Sequence, residues 1–514
     1  MQSFKIILYF TFLFIVFANA SPPDFAEASS SAKESIVMPS IDDMEVLIEH
    51  AKFWAHKIGL IIHTKMMDKK DAAKFLSFTL FPSPIPRRLL TKAVQLQKAF
   101  NELYFRVSQD HKFLIEKLKP LAHSNGRVRA WLNILEEVQS EAIVRQPITL
   151  LLARSDYMFH QNEDKFTNDA AYELKQIEFN SGNYGGPAFG VRATELHRHI
   201  MELSGRKMSD EFLPNNVSEQ HMAIGIYEAW KSYGDPNAIV LMVSNKFSRW
   251  HEFIQIDLLI EEISKKKIKI IYLSLFECAE KLSLDDDFTL RLDNIYSVGV
   301  VHFKNLFSSN PSPQVITARR IIERSKAIST PTVAQDLAST KKIQQVLAMP
   351  GMLERFFPEP ESAEIVTELR STFAGMWGLD KGDDETTAVI QEAIKNPANY
   401  VLKPSQEGGG HNFWGEEIAE KLLSFSHEER AAHILMQRVK PLIVKNILVR
   451  AYENIQYENV ISELSIFGYL IGNVNEMKVL QNMGDGHMMR TKPSDSDEGG
   501  AGKGNGVIDS PFLF

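Results

Sequence analysis

Four segments of the chain carry polar side chains at spacings suited to phosphates and a hard cation. In Lys175-Gln176-Ile177-Glu178-Phe179-Asn180-Ser181, read as a strand, period-two alternation puts Glu178 and Asn180 on one face and Ile177 and Phe179 on the other. A carboxylate and an amide oxygen so placed suit magnesium, which takes oxygen ligands and fills its octahedron with water and phosphate oxygens. An edge strand with two solvated polar residues would read the same way. In Tyr400-Val401-Leu402-Lys403-Pro404-Ser405-Gln406-Glu407-Gly408-Gly409-Gly410-His411-Asn412, a short strand ends in a lysine, followed by a glutamate and three glycines. Consecutive glycines let backbone amides approach phosphate oxygens, the lysine adds a charge, and Glu407 offers a second carboxylate for a metal. A surface turn is the competing reading.

The third segment, Thr340-Lys341-Lys342-Ile343, opens an apolar-periodic helix, where a lysine opposes the helix dipole unless an anion sits nearby. The fourth, Met489-Arg490-Thr491-Lys492, precedes an acidic stretch and a run of glycines at 499–506 that is costly to order and so suited to closing over a bound molecule. No Walker-type Gly-Lys-Ser or Gly-Lys-Thr loop and no Gly-x-Ser-x-Gly elbow occurs. His197 and His199, two apart on a helix, point away from each other and make no metal pair.

These groups are scattered over more than 300 positions, so the fold must gather them. Met44, Leu47, Ile48, Ala51 and Trp54 recur at helical spacing, as do apolar residues from Leu89 to Phe105. The short apolar runs at 239–243, 268–275 and 298–303 alternate with charged helical stretches, which predicts a parallel α/β unit over 236–335. With 514 residues, 44% of them hydrophobic, the chain can bury large cores. A net charge of −8 argues against nucleic acid as partner. Cys278, the one cysteine, excludes an internal disulfide and a cysteine-based metal cluster. Lys5, an apolar run from Ile6 to Phe17 and Ala18-Asn19-Ala20 have the pattern of a secretory signal over 1–20, too short to span a bilayer; 21–42 reads as a leader rich in Ser, Ala and Pro. Asn216-Val217-Ser218 is a glycosylation sequon.

Taken together, Lys175-Gln176-Ile177-Glu178, Arg154-Ser155-Asp156-Tyr157-Met158-Phe159, Thr340-Lys341-Lys342-Ile343-Gln344-Gln345, Pro350-Gly351-Met352-Leu353-Glu354, Val401-Leu402-Lys403-Pro404, Glu407-Gly408-Gly409-Gly410, Ser462-Glu463-Leu464 and Arg490-Thr491-Lys492 closely resemble eukaryotic glutathione synthetase. The resemblance spans nearly all of the chain after residue 20. It implies an ATP-grasp fold of the α/β class, with ATP-grasp segments at 43–235 and 336–514 around an inserted parallel α/β substrate-binding domain at 236–335, and a homodimer. It further implies a ligase that phosphorylates the carboxylate of γ-glutamylcysteine with ATP and passes the acyl group to glycine, using two magnesium ions per subunit. By motif match, Glu178, Asn180 and Glu407 would hold metal. Lys341, Lys403, Gly408, Gly409, Gly410, His411, Asn412, Trp414, the Met436-Gln437-Arg438-Val439 strip, Glu463, Lys492 and Glu498 would line the nucleotide site. Arg154, Arg490 and Lys403 would serve the reacting groups, and Ser181, Lys304, Phe307, Ala501 and Gly502 the other substrates.

The chain also departs from the family pattern. Ser181-Gly182-Asn183-Tyr184 reaches Gly185 two residues early, and Lys304 and Phe307 stand where the family has an arginine and a tyrosine. Lysine cannot make a two-pronged carboxylate contact, and phenylalanine has no hydroxyl. Gln437 replaces an acidic residue. The nucleotide positions are kept and the dipeptide pocket is altered, which leaves two expectations: a ligase with changed substrates, or a secreted binding protein without turnover.

Overall fold

The computed structural model describes residues 41–63, 72–141, 143–161, 171–181, 184–244, 250–304, 308–405, 412–497 and 506–514. The expected signal at 1–20 and nearly all of the leader lie outside them; the first helix, Ile41–Lys57, already includes residues 41 and 42.

A central sheet of seven strands runs in the order Ile443–Val449, Phe78–Thr79, Val507–Asp509, Lys478–Pro493, Gln456–Asn473, Ile148–Gln161, Tyr172–Ser181. Three of its long strands change character along one face. Leu150 and Leu152 give way to Arg154 and Asp156, Ile471, Tyr469 and Phe467 to Ser465 and Glu463, and Met488 to Arg490. The apolar ends belong to the core shared with Met222 and Ile226 of the helix Ser218–Tyr233 and with Phe189 and Leu196 of the helix Pro187–Leu203. Past the reach of those helices, the same face turns charged and becomes the site. The opposite face stays apolar: Leu151, Ala153, Tyr157 and Phe159 share a core with the helix Arg87–Gln109. Tyr104 on that helix stacks on Phe179 at 3.7 Å, and Phe100 meets Tyr157. Burying such rings contributes roughly 1.5–3 kcal/mol each.

Phe179 and the pair Glu178 and Asn180 therefore take opposite sides, as alternation requires. Ile177 does not follow it. Asp156 pairs with Glu178 while Tyr157 pairs with Gln176, so Ile177 is the extra residue of a bulge. It packs instead against the cluster of Ala374, Met376 and Met436.

Strands from 239 to 330 form a sheet of their own. Ile270–Leu273, Ile239–Val243, Tyr296–Phe303 and Ile328–Thr330 are parallel, and Leu282–Leu284 and Leu290–Leu292 extend it antiparallel. Ile239–Val243 is buried at every residue, which suits a strand covered on both faces. The sheet is thus mixed rather than wholly parallel. A third sheet, Met376–Gly378, His433–Gln437, Tyr400–Pro404, packs Leu402 and Leu435 against Ile390 and Ile418 of the helices Asp384–Lys395 and Glu416–Ser424.

His197 and His199 do point apart: His197 is buried against the Thr79 carbonyl and Ser510, and His199 stacks on Trp54. Asn216 is also buried. Its Nδ2 donates to the His487 carbonyl, and its Oδ1 accepts from the Ser218 and His487 amides. Cys278 is fully buried. No helix among the described residues is long and apolar enough to cross a membrane.

Candidate active site

At the charged end of the central sheet, cations and carboxylates from six parts of the chain meet. Arg154 sits on Ile148–Gln161 and forms a two-pronged pair with Asp156 on the same strand face, Nε and Nη2 each 2.7 Å from a carboxylate oxygen. Its Nη2 is 3.8 Å from Glu178 Oε1, and its Nη1 donates to the Gly185 carbonyl at 3.0 Å. Arg490, on Lys478–Pro493, donates to Asp156 Oδ2 at 2.9 Å and to Glu463 on the adjacent strand. Asn180 gives its Nδ2 to both Glu178 Oε1 and Asp156 Oδ2, each at 3.1 Å. Lys341, at the start of the helix Lys341–Leu347, lies 3.9 Å from Glu178 Oε2.

The charges set the protonation states. Burial alone would raise Glu178, but Lys341, Arg154, Lys403 and Arg490 outweigh it and hold the carboxyl down at about 2, fully ionised. Glu463 is pushed the other way: burial and the neighbouring Asp156 and Glu178 raise it, although Arg490 opposes them. Lys403, on the third sheet's Tyr400–Pro404, is 7% exposed. Burial brings its ammonium down to about 8, with Glu178, Glu463 and Asp156 partly offsetting the effect. It makes no hydrogen bond or ion pair among the described residues, so a buried cation stands beside Glu178 without a partner of its own.

Other expected positions surround this centre or lie apart from it. Met436 is in the small core beside Ile177. Gln437 bonds Gly375 through its amide and its side chain. The Arg438 amide donates to Asn399, while its guanidinium lies over Trp414 and 3.2 Å from Asp497. Lys492 donates to the Asp497 carbonyl. Asn412 and Val439 are half-buried. Ser181 does not face the cluster's charges: its hydroxyl donates to the Gln335 carbonyl and lies 3.0 Å from the Ser339 hydroxyl, fastening the strand to the helix Val333–Ala338. Lys304 is buried at the end of Tyr296–Phe303, where it donates to the Tyr184 carbonyl at 3.2 Å and lies 3.9 Å from Glu252. Glu407, Gly408, Gly409, Gly410, His411, Glu498, Ala501, Gly502 and Phe307 fall outside the described residues.

Asp156 is the residue that sequence reasoning passed over. It is fully buried and accepts from Arg154, Asn180, Arg490 and the Ser465 hydroxyl, the last at 2.6 Å. The alternation that paired Glu178 with Asn180 applies equally to Arg154 and Asp156 and was the available signal.

Glu178 and Asn180 supply hard oxygen donors. Because Asn180 makes both its bonds through Nδ2, Oδ1 is the atom it offers to a cation. These donors fit magnesium chemically, but no group of three or more His, Cys, Asp or Glu that could hold a metal occurs among the described residues. Phosphate oxygens and water would have to complete the shell.

The chain matches the model of the eukaryotic glutathione synthase ATP-binding domain over residues 42–513. It is 36% identical to glutathione synthetase of Homo sapiens over 476 residues, 91% of this chain and 97% of that one. With the chloroplastic glutathione synthetase of Arabidopsis thaliana it shares 32% over 504 residues, 94% and 88% of the two chains. Among solved structures, a glutathione synthetase-like effector from Globodera pallida, in apo form, superposes with a TM-score of 0.74 at 29% identity, covering 92% of this chain and 97% of that one. A buried lysine beside an ionised Glu178, two arginines locked by Asp156 and a family match over nearly the whole length lead to one assignment: the chain belongs to the eukaryotic glutathione synthetase family, ATP-dependent ligases of the glutathione synthase type.

Proposed function

We propose that the protein uses ATP to phosphorylate the carboxylate of γ-glutamylcysteine or a related γ-glutamyl peptide, and that the amine of glycine or another acceptor displaces the phosphate. The single observation that carries this reading is Lys403: a buried ammonium that makes no ion pair among the described residues and feels the charge of Glu178. A triphosphate entering there would supply the missing charge. Lys341 lies 3.9 Å from the same Glu178, so two lysines would hold the phosphate chain. Magnesium, held by Glu178 and Asn180 with Glu407 as the third expected ligand, would neutralise charge on the phosphoryl oxygens. Arg154 and Arg490 are fixed with their planes set by Asp156, and such preorganised guanidinium groups stabilise a carboxylate and the charge that develops on it.

A second reading keeps the nucleotide chemistry and changes the substrates, or drops turnover altogether. It is favoured by Lys304, which is bonded to the Tyr184 carbonyl and faces Glu252. Export through residues 1–20 belongs to this reading, and the description of the solved relative as an effector supports it. ADP release measured across panels of γ-glutamyl donors and amines, with Lys403→Ala as the control, separates the readings. Release that requires both a γ-glutamyl peptide and an amine supports the ligase; ATP binding with no release across the panel overturns it in favour of a binding protein.

A further inference from the structure

Tyr184, Gly185 and Gly186 lie between the strand bearing Glu178 and Asn180 and the helix Pro187–Leu203. Each is held by a different side chain. The Tyr184 carbonyl accepts from Lys304 Nζ at 3.2 Å, the Gly185 carbonyl accepts from Arg154 Nη1 at 3.0 Å, and the Gly186 amide donates to Glu252 Oε1 at 2.6 Å. Tyr184 is fastened again through its hydroxyl, 2.7 Å from His302 Nε2. Arg154 belongs to the central sheet. Lys304 and His302 lie at the end of Tyr296–Phe303 and Glu252 on the helix Trp250–Ile263, all in the 239–330 region.

Lys304 and Glu252 are themselves paired at 3.9 Å, with side chains 4% and 0% exposed, and the lysine lies over the Tyr184 and Phe253 rings. Glu252 Oε2 is buried with no hydrogen-bond partner. A buried carboxylate or ammonium is costly, and each of these charges offsets part of the other's burial. Gly186 cannot be replaced by a bulkier hinge. Its φ is +108°, and an added Cβ would lie 2.3 Å from Met488 Sδ.

We infer that Lys304 and Glu252 are a positioning pair: by clamping Tyr184 and Gly186 they fix the Gly185 carbonyl, which holds Arg154 Nη1 while Asp156 holds Nε and Nη2. Lys304 then acts on the backbone of its own chain rather than on a substrate carboxylate. The inference rests on the proposed role of Arg154 at the reacting carboxylate.

The test uses the full-length protein with Lys304→Met, Glu252→Gln and the double variant. Each single change removes one member of the buried pair. The double removes both charges and keeps an acceptor for the Gly186 amide. Each single variant is expected to lose about tenfold or more in kcat/KM for the donor, and the double to recover most of that loss, while ATP affinity stays within about twofold throughout. A double variant no better than Lys304→Met alone would show that the lysine meets substrate and would overturn the pair. Amide hydrogen exchange provides a readout independent of turnover. Residues 186–190 should exchange faster in both single variants and slow again in the double; unchanged exchange in both singles overturns the inference. If the wild-type protein shows no turnover with any donor, the proposed function fails while the exchange result still decides the clamp.

Discussion

Arg154 and Asp156 stand two residues apart on one strand and face each other through two parallel 2.7 Å hydrogen bonds, with Arg490 reaching the same carboxylate at 2.9 Å from two strands away. One fully buried aspartate thus sets the direction of two guanidinium groups.

Asp156→Asn should break that arrangement while keeping the side chain's volume. Losing the charged partner of a buried pair costs about 3–5 kcal/mol, so the midpoint of thermal unfolding should fall. Donor kcat/KM should drop about 100-fold or more, in the range seen when one preorganised electrostatic contact is removed. Near-wild-type kinetics in Asp156→Asn would mean that the arginines are held by other contacts.

Lys403 ionises near pH 8 in the ligand-free protein because burial disfavours its ammonium. A bound triphosphate favours the charged form and raises its pKa, so ATP binding at pH 8 should draw in about half a proton. Calorimetry in two buffers of different ionisation enthalpy measures this uptake, and Lys403→Arg should abolish it. Proton release, or the same uptake in the arginine variant, would place the phosphates elsewhere.

His197, His302 and His487 are buried, and burial lowers all three pKa values, His487 to about 4. The unfolded chain then binds more protons than the folded one between about pH 6.5 and pH 4, so stability is complete above that window and is lost as pH falls through it. His487 alone accounts for on the order of 3 kcal/mol. Urea unfolding at pH 7, 5.5 and 4.5 should show the decline, and His487→Gln should flatten it.

Asn216 lies in a glycosylation sequon, yet its amide nitrogen is turned inward to the His487 carbonyl. Protein made through a secretory pathway should carry no glycan there, as read by mass spectrometry of the peptide around residue 216. Asn216→Ala should cost about 1–3 kcal/mol by leaving the buried groups it bonds without partners.

Much of this site could be read from residue types alone. Alternation placed Glu178 with Asn180, and the strand that ends in Lys403 was recognisable as short and apolar. What could not be read was set by distant packing. Ile177 leaves the alternation because a bulge, invisible without the partner strand, adds a residue opposite Asp156 and Tyr157. Ser181 looked like a substrate ligand until Gln335 and Ser339, more than 150 positions later, were found against it. Lys304 reads from sequence as a weakened carboxylate contact, and its neighbour Glu252 could not be foreseen because it comes from a segment with no family motif. The antiparallel strands Leu282–Leu284 and Leu290–Leu292 were missed because three-residue runs carry little periodicity.

The only sulfhydryl, on Cys278, is sealed in the core, and burial raises its pKa to about 12. It is therefore almost wholly un-ionised at neutral pH and shielded from oxidants, mixed disulfides and alkylating agents alike. The molecule needs neither glutathione to stay reduced nor oxygen to be completed, and the same fold can persist on either side of a membrane that separates two redox environments.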